Sequence, residues 1–310
     1  MSDVLCFGSL NLDLVYRVPA VVSAGQTLAA SDRTVHVGGK GLNQSVALAR
    51  AGCKVRHAGV VGADGVPLVD ALREAGVDTS CVRMNPARPS GHAVIQVSDN
   101  GSNAIVVYPG TNATIGSDDI EAAFEGVAPG STVILQNEIN ALETIVERAL
   151  ALDLKIVFNP SPMTPTLFTL PLDRFDCLLV NEHEARELLA SKEQLSDEAV
   201  LEQLHARWPD VTIVMTLGDK GALFASPCQA VARVNARSVA AIDTTAAGDT
   251  FTGYFVAARL EGRTVGDCVE RGCLAASIAV TRAGAAPSIP TRDEVDALNG
   301  EFHHDHQTLA

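Results

Sequence analysis

The chain reads as an α/β fold, a mainly parallel sheet sandwiched by helices, and three observations lead there. Short apolar runs ending in small or polar residues recur along the sequence, as buried strands do. Stretches with apolar residues at helical spacing lie between them, so strand and helix alternate. At 310 residues and 47% hydrophobic content there is enough apolar surface for one large core, and no repeat, linker or low-complexity block divides it. One domain over residues 1–310 follows.

The strands are predicted at Val4–Gly8, Val55–Val61, Thr132–Leu135, Lys155–Phe158, Cys177–Val180 and Thr212–Thr216. Between them the spacing predicts helices over Asn43–Ala51, Val66–Ala75 (closed by Gly76), Asp118–Glu125, Leu142–Leu152, Glu182–Ala190 and Asp197–Arg207. A helix starting near Ala247 or Gly248 carries Phe251, Tyr254, Phe255 and Ala258 on one face and stops at Gly262; a long apolar helix over Gly266–Arg282 follows it. Four segments differ: Leu12–Val18, Thr27–Val37, Gly91–Val97 and Ala104–Tyr108 alternate with period two and are polar on one side. Asp99-Asn100-Gly101 supplies a hairpin turn between the last two. Such strands form either a small sheet projecting from the body or an extra edge on the core sheet.

Charge and cysteines narrow the function classes. A net charge of −14 argues against nucleic acid as a partner, because phosphate backbones need clustered Lys and Arg, and the five lysines here are dispersed. An acidic protein that handles phosphate has to neutralise it locally, through amide nests, a metal ion and a single lysine such as Lys40. Seven scattered cysteines, odd in number and without a Cys-x-x-Cys pair, point to reduced thiols and a cytoplasmic setting. No run reaches membrane-spanning length and no basic-then-apolar leader opens the sequence. The tail His303-His304-Asp305-His306 reads as a frayed polar terminus rather than a metal site.

Two glycine-containing turns carry chemistry. Asp243-Thr244-Thr245-Ala246-Ala247-Gly248-Asp249-Thr250-Phe251 joins a small-residue turn to an apolar helix with one carboxylate at the junction. The first amides of that helix lack partners within it and carry the positive end of its dipole, so they suit a phosphate; Gly248 is the residue free to take unusual backbone angles. Asp249 is then a base beside an anion hole, or simply an acidic residue favoured in a first helical turn. Val37-Gly38-Gly39-Lys40-Gly41-Leu42-Asn43-Gln44 is a second glycine turn running into a helix. Its spacing is wrong for a Walker A loop. Further along, Asn181 and Glu184 stand three apart at a helix start, where they could share an ion or form a capping box.

Taken together, the Asp243–Phe251 and GGKGLNQ segments resemble the signatures of the ribokinase-like carbohydrate kinases, and the likeness extends over nearly the whole chain. The resemblance implies ATP-dependent phosphorylation of a primary hydroxyl, D-ribose to D-ribose 5-phosphate first; another pentose, a ketohexose or a nucleoside is the alternative acceptor, and a sugar-binding protein without turnover the remaining reading. It implies that Asn11, Asp13, Gly39, Lys40, Asn43 and Glu138 bind the sugar, with Ala93 and Ile95 as apolar lid positions over it. Asn11 could instead make an Asx turn. Asn137, Ile139 and Asn140 depart from the family around Glu138 and leave the acceptor open.

Asp249 is implied as the base, with the amides of Ala246, Ala247, Gly248 and Asp249 around the phosphoryl oxygens. Asn181 and Glu184 would order the phosphates and Mg²⁺, while Thr216, Gly218 and Gly221 meet the nucleotide. Asp243, Thr245, Val280, Ala285 and Ser288 fall where the family builds a K⁺ site. The period-two strands, approximately 12–37 and 91–108, become a discontinuous lid that covers the sugar and pairs with a second subunit's lid, which implies a homodimer.

Overall fold

The computed structural model describes residues 4–191, 193–299 and 307–308; the histidine-containing tail, residues 303–306, lies outside the described residues. In chain order the strands begin with β1 (Val4–Phe7), β2 (Asn11–Val18), β3 (Asp32–Gly38), β4 (Val55–Val61), β5 (Asp78–Met84), β6 (Gly91–Ser98) and β7 (Asn103–Tyr108). They continue with β8 (Thr132–Gln136), β9 (Lys155–Asn159), β10 (Cys177–Asn181), β11 (Thr212–Thr216), β12 (Ala222–Ser226), β13 (Gln229–Val234) and β14 (Gln307–Thr308). The helices are α1 (Lys40–Arg50), α2 (Val66–Glu74), α3 (Ser117–Phe124), α4 (Leu142–Ala151), α5 (Glu182–Leu189), α6 (Asp197–Arg207), α7 (Ala247–Leu260), α8 (Val265–Ala279) and α9 (Arg292–Asn299).

Ten strands form the main sheet in the order β14-β13-β12-β11-β10-β9-β8-β1-β4-β5. Pairing is parallel from β5 through β11 and antiparallel from β11 through β14. Strands β1, β4 and β8 to β11 are buried on both faces along most of their length, which is why they read as continuous apolar runs. Along β1 the side chains alternate between two cores: Val4 and Cys6 pack with Leu42 of α1, Leu68 of α2, Phe251 of α7 and Val269 of α8, whereas Leu5 and Phe7 pack with Ile120 of α3, Ile145 of α4, Ala185 of α5 and Leu201 of α6. Among the described residues, no helix is long and apolar enough to cross a membrane.

The period-two strands make a second sheet, β3-β2-β6-β7, not an extra edge on the first. Its central pair, β2 with β6, is parallel and its outer pairs are antiparallel. It grows from the core because β1 passes through Gly8-Ser9-Leu10 directly into β2. The β6–β7 hairpin turns where Asp99-Asn100-Gly101 predicts, with Gly101 at φ 84°.

Several boundaries differ for physical reasons. The first half of Thr27–Val37 is exposed irregular chain and β3 begins only at Asp32. The helix expected to reach Arg282 stops at Ala279, because the Val280 carbonyl receives the Ile242 and Asp243 amides and the Gly284 amide turns to the Asp243 carboxylate instead of continuing the helical ladder. Strands β5, β12 and β13 and helix α9 carry no strong sequence signal: β5 is largely polar, and β12 is an Ala-containing run with a register irregularity between Phe224 and Ser226.

Candidate active site

Strand order reverses at β1, which has β4 on one side and β8 on the other, and ligands of open α/β sheets bind beyond the carboxyl ends of the strands at such a point. The side chains singled out in the sequence converge there. Glu138 follows β8, and its Oε1 stands 3.2 Å from Lys40 Nζ, while Oε2 accepts from the Lys40 amide (3.3 Å) and from the Ser9 hydroxyl. Ser9 Oγ in turn accepts from the Gly41 amide at 3.3 Å. This close meeting of two backbones needs glycine: a Cβ on Gly41 would lie 2.4 Å from Gly8, and Gly39, at φ 95°, would place one 2.8 Å from the Ser9 carbonyl.

Asp13 sits on β2 in register with Ala93 of β6, and its carboxylate lies against Gly38, where an added Cβ would fall 2.4 Å from Oδ2. Burial and the nearby Glu138 push its carboxyl up to about 6, with Lys40 opposing. Asn11 is buried, and its Oδ1 accepts from Asn112 Nδ2 at 2.7 Å; Asn112 Oδ1 accepts from the Leu10 amide at 3.0 Å. The Asx-turn reading of Asn11 therefore gives way to a side-chain pair with Asn112. Ala93 is buried and Ile95 half-buried, two residues apart on one face of the lid sheet.

The remaining departures around Glu138 turn away from it. Asn137 donates to the Pro162 carbonyl (2.6 Å) and to Thr164 Oγ1 (2.9 Å), and Asn140 exchanges two hydrogen bonds with the Ile115 backbone. Both side chains tie loops together.

Asp249 lies in the first turn of α7, half-buried, with each carboxylate oxygen taking one amide N–H: Oδ2 from Asn43 Nδ2 at 3.0 Å and Oδ1 from Gln44 Nε2 at 2.9 Å. Burial raises its carboxyl above the usual range, while Lys40 and the two amides oppose the rise. Burial alone would lower the Lys40 ammonium, yet Glu138, Asp249 and Glu184 together hold it above its ordinary value. The unusual backbone conformation expected of Gly248 falls instead on Ala246, at φ 61°, the residue that caps α7. Gly248 is helical, and a Cβ there would meet nothing within 4 Å. The Ala247 amide is also already used, donating to the Thr244 carbonyl at 3.2 Å, whereas the Gly248 and Asp249 amides have no backbone partner among the described residues. Of the amides expected around the phosphoryl oxygens, that of Ala247 is therefore already committed to the turn.

Two cavities meet at this helix start. One, of about 220 Å³, holds Lys40, Asp249, Asn181 and Glu184 together with Asn159 and Ser161. The other, of about 420 Å³, is lined by Gly218, Gly221, Arg237, Cys273 and Ala276 among others. Thr216, Thr244, Ala247, Gly248 and Phe251 border both. Asn181 and Glu184 do form a capping box: Asn181 Oδ1 accepts from the His183 and Glu184 amides, each at 2.9 Å, and Glu184 Oε2 accepts from the Asn181 amide at 3.0 Å. They cap α5 and line the smaller cavity at once. Among the described residues, no group of three His, Cys, Asp or Glu could hold a metal by itself. Mg²⁺, which keeps most of its waters and takes one or two carboxylates beside substrate phosphates, fits a wall bearing Glu184.

The residues expected around K⁺ are brought together, with one reservation of geometry. Asp243 accepts from Thr245 (amide 2.9 Å, hydroxyl 2.6 Å) and from the Gly284 amide (2.9 Å). Although burial opposes it, these bonds hold the Asp243 carboxyl below the usual range. The Val280 carbonyl already takes two amides, and that of Ala285 takes both the amide and the hydroxyl of Ser288. A cation here would rest chiefly on Asp243 and on the other carbonyls of these two segments.

Sequence reasoning passed over Ser9, Gln44, Asn112 and Gln136. All four are buried polar residues inside or beside apolar runs, and that misfit is the signal that could have found them.

A carboxylate held at a helix N-terminus, beside a lysine and a cluster of buried polar side chains, is an arrangement suited to phosphoryl transfer. Comparison with known proteins agrees. The family model described as pfkB family carbohydrate kinase matches residues 1–292. A ribokinase of Haemophilus influenzae is 34% identical over 294 residues, covering 93% of this chain and 95% of the relative. The ribokinase of Cryptococcus neoformans var. grubii serotype A in complex with ADP superposes with a TM-score of 0.85 at 31% identity, covering 96% and 99% of the two chains. The Arabidopsis thaliana ribokinase complexed with ribose and ATP gives 0.84 at 27% identity, covering 96% and 98%. The chain belongs to the pfkB family of carbohydrate kinases.

Proposed function

We propose that this enzyme transfers the γ-phosphate of ATP to the 5-hydroxyl of D-ribose. The observation that carries the reading is Asp249, held by two amides at the start of α7 and sharing one cavity with Lys40, which is itself paired to Glu138. The ribokinase relatives, one of them described with ribose and ATP, support the choice of sugar.

In this reading the chain is one domain with a discontinuous lid. Asp13, Asn11, Glu138, Gly39 and Asn43 take the sugar hydroxyls, under Ala93 and Ile95. Asn43 Oδ1 is buried with no hydrogen-bond partner among the described residues, which suits it to accept from a hydroxyl. Asp249 takes the proton of the attacking hydroxyl as that oxygen bonds to the γ-phosphorus and the bond to the β-phosphate oxygen breaks, so ADP departs and the proton stays on the carboxyl. The Gly248 and Asp249 amides and Lys40 stabilise the charge on the transferring group, which is where most catalysis of phosphoryl transfer lies. The adenosine occupies the larger cavity, beside Thr216, Gly218 and Gly221. Bound Mg²⁺ would neutralise phosphate charge, with Glu184 and Asn181 holding its waters. K⁺ near Asp243 and Thr245 would supply charge that keeps the start of α7 ordered. The dispersed thiols support a cytoplasmic setting.

A coupled assay of ADP release over a panel of sugars, in potassium and in sodium, tests the proposal. D-ribose is expected to give the highest kcat/KM, sodium to lower the rate, and Asp249→Asn to lower kcat by roughly 10² to 10⁴ with sugar affinity held within a few-fold. A ketohexose or nucleoside preferred over ribose would move the acceptor, and a fast Asp249→Asn enzyme would remove the base.

A further inference from the structure

Behind Asp249 lies a line of buried side chains that the mechanism above does not use. Gln44 and Gln136 are both fully buried, on α1 and at the end of β8. Gln136 Nε2 donates to Gln44 Oε1 at 2.7 Å, and Gln44 Nε2 donates to Asp249 Oδ1 at 2.9 Å. Burying two amides is unfavourable unless they are hydrogen-bonded, and Leu or Met would fill the same volume at no such cost.

The direction of this line follows from chemistry. An ionised carboxylate only accepts, so Gln44 must present its NH₂ to Asp249. Its oxygen then faces Gln136, which must present its own NH₂ in turn. The far end bears the consequence: Gln136 Oε1 is buried with no hydrogen-bond partner among the described residues, packed where a Cβ on Gly8 would come within 2.5 Å. Gln136 Nε2 also donates to Cys6 Sγ at 3.8 Å, a weak acceptor, so the stronger bond to Gln44 sets the orientation of this amide and leaves its oxygen unpaired.

We propose that Gln44 and Gln136 act as positioning residues, a two-amide relay that fixes the Asp249 carboxylate and keeps it ionised in the buried site. The relay rests on Asp249 being the base. Because burial raises the Asp249 carboxyl and the Gln44 amide opposes that rise, removing the amide moves the acid limb of kcat to higher pH. Gln136 acts through Gln44, so its effect depends on Gln44 being there.

The test is a double-mutant cycle with Gln44→Met, Gln136→Met and the pair, each followed as kcat and KM for ribose across pH. Gln44→Met is expected to lose roughly tenfold to a hundredfold in kcat, with KM within a few-fold and the acid limb shifted upward. Gln136→Met should show a smaller loss of the same kind, and none when added to Gln44→Met. Equal effects of Gln136→Met in both backgrounds, or an unmoved acid limb in Gln44→Met, would overturn the relay. In the unsubstituted protein the Gln44 and Gln136 side-chain amide resonances should titrate together with the acid limb, a readout that stands even if a variant does not fold; two amides indifferent to pH would also overturn it. Asp249→Asn separates the failures: an active Asp249→Asn enzyme removes the base itself, whereas an inactive one with wild-type glutamine variants removes only the relay.

Discussion

In the proposed sugar site, Asp13 would serve binding at the expense of stability. Its carboxyl, held up near 6 by burial and by Glu138, is ionised only above that pH, and only the ionised form accepts two hydroxyl bonds. Ribose affinity measured by calorimetry should therefore fall as pH drops through about 6, provided the protein stays folded. The sign for stability is the opposite. A carboxyl raised in the folded state binds its proton there more tightly than in the unfolded chain, so its contribution to stability is lost as pH rises from the ordinary carboxylate range through about 6. Asp13→Asn should thus melt higher than the parent at pH 7.5 while losing sugar binding; a lower melting point would place the cost elsewhere than in the buried charge. This coupling was invisible in the sequence, where the resemblance marks Asp13 for the sugar but nothing shows which charges surround it. The glycine turn and the Asp249 segment were legible because their residue types are local, whereas Asp13, Glu138 and Lys40 become one electrostatic unit only when strands more than a hundred residues apart meet at the sheet reversal.

At the scale of elements, the start of α7 shows what a glycine is for. Ala246 takes the left-handed conformation that caps the helix, so Gly248 is not needed for backbone freedom. Its missing Cβ instead keeps open the junction between the two cavities, both of which it borders. Gly248→Ala should therefore leave the fold intact and raise the melting temperature, since Ala is favoured over Gly in a helix by up to about 1 kcal/mol. The KM for ATP should rise, with ribose affinity unchanged. A Gly248→Ala enzyme with normal ATP kinetics would show that the junction is not on the nucleotide's path. Gly41→Ala is the contrast: its Cβ meets the Gly8 backbone, and loss of the fold is expected there. Helix boundaries were legible wherever apolar spacing was regular, as for α6, which runs over the predicted Asp197–Arg207. The end of α8 was not, because it is set by the Val280 carbonyl, which accepts from the Ile242 and Asp243 amides, partners about forty residues distant in sequence.

For the whole molecule, the lid sheet poses a question of exposed surface. Strand β7 is its outer edge, and Ile105, Val106, Val107 and Tyr108 are exposed by 54%, 68%, 60% and 42%, with Val35 of β3 exposed by 46% at the other side. Consecutive residues of a strand point to opposite faces, so both faces of β7 are apolar and uncovered in one chain. An edge of that kind invites pairing with another chain, and the alternation that marked these strands in the sequence becomes, at β7, an apolar surface too broad for a lone lid. A second copy presenting its own lid would cover it and stiffen the sheet that carries Asp13, Ala93 and Ile95. Assembly and sugar affinity are then linked: whatever separates the two lids should loosen the roof of the proposed sugar site and leave the larger cavity, lined from α7 and α8, nearly untouched. Sedimentation equilibrium at micromolar concentration should give a dimer for the unsubstituted protein and a monomer for Val106→Lys combined with Val107→Glu. The monomer should show a raised KM for ribose and an ATP KM within a few-fold of the parent. A charged variant that remains dimeric would locate the interface elsewhere, and one that is monomeric with unchanged ribose kinetics would detach the lid pairing from catalysis.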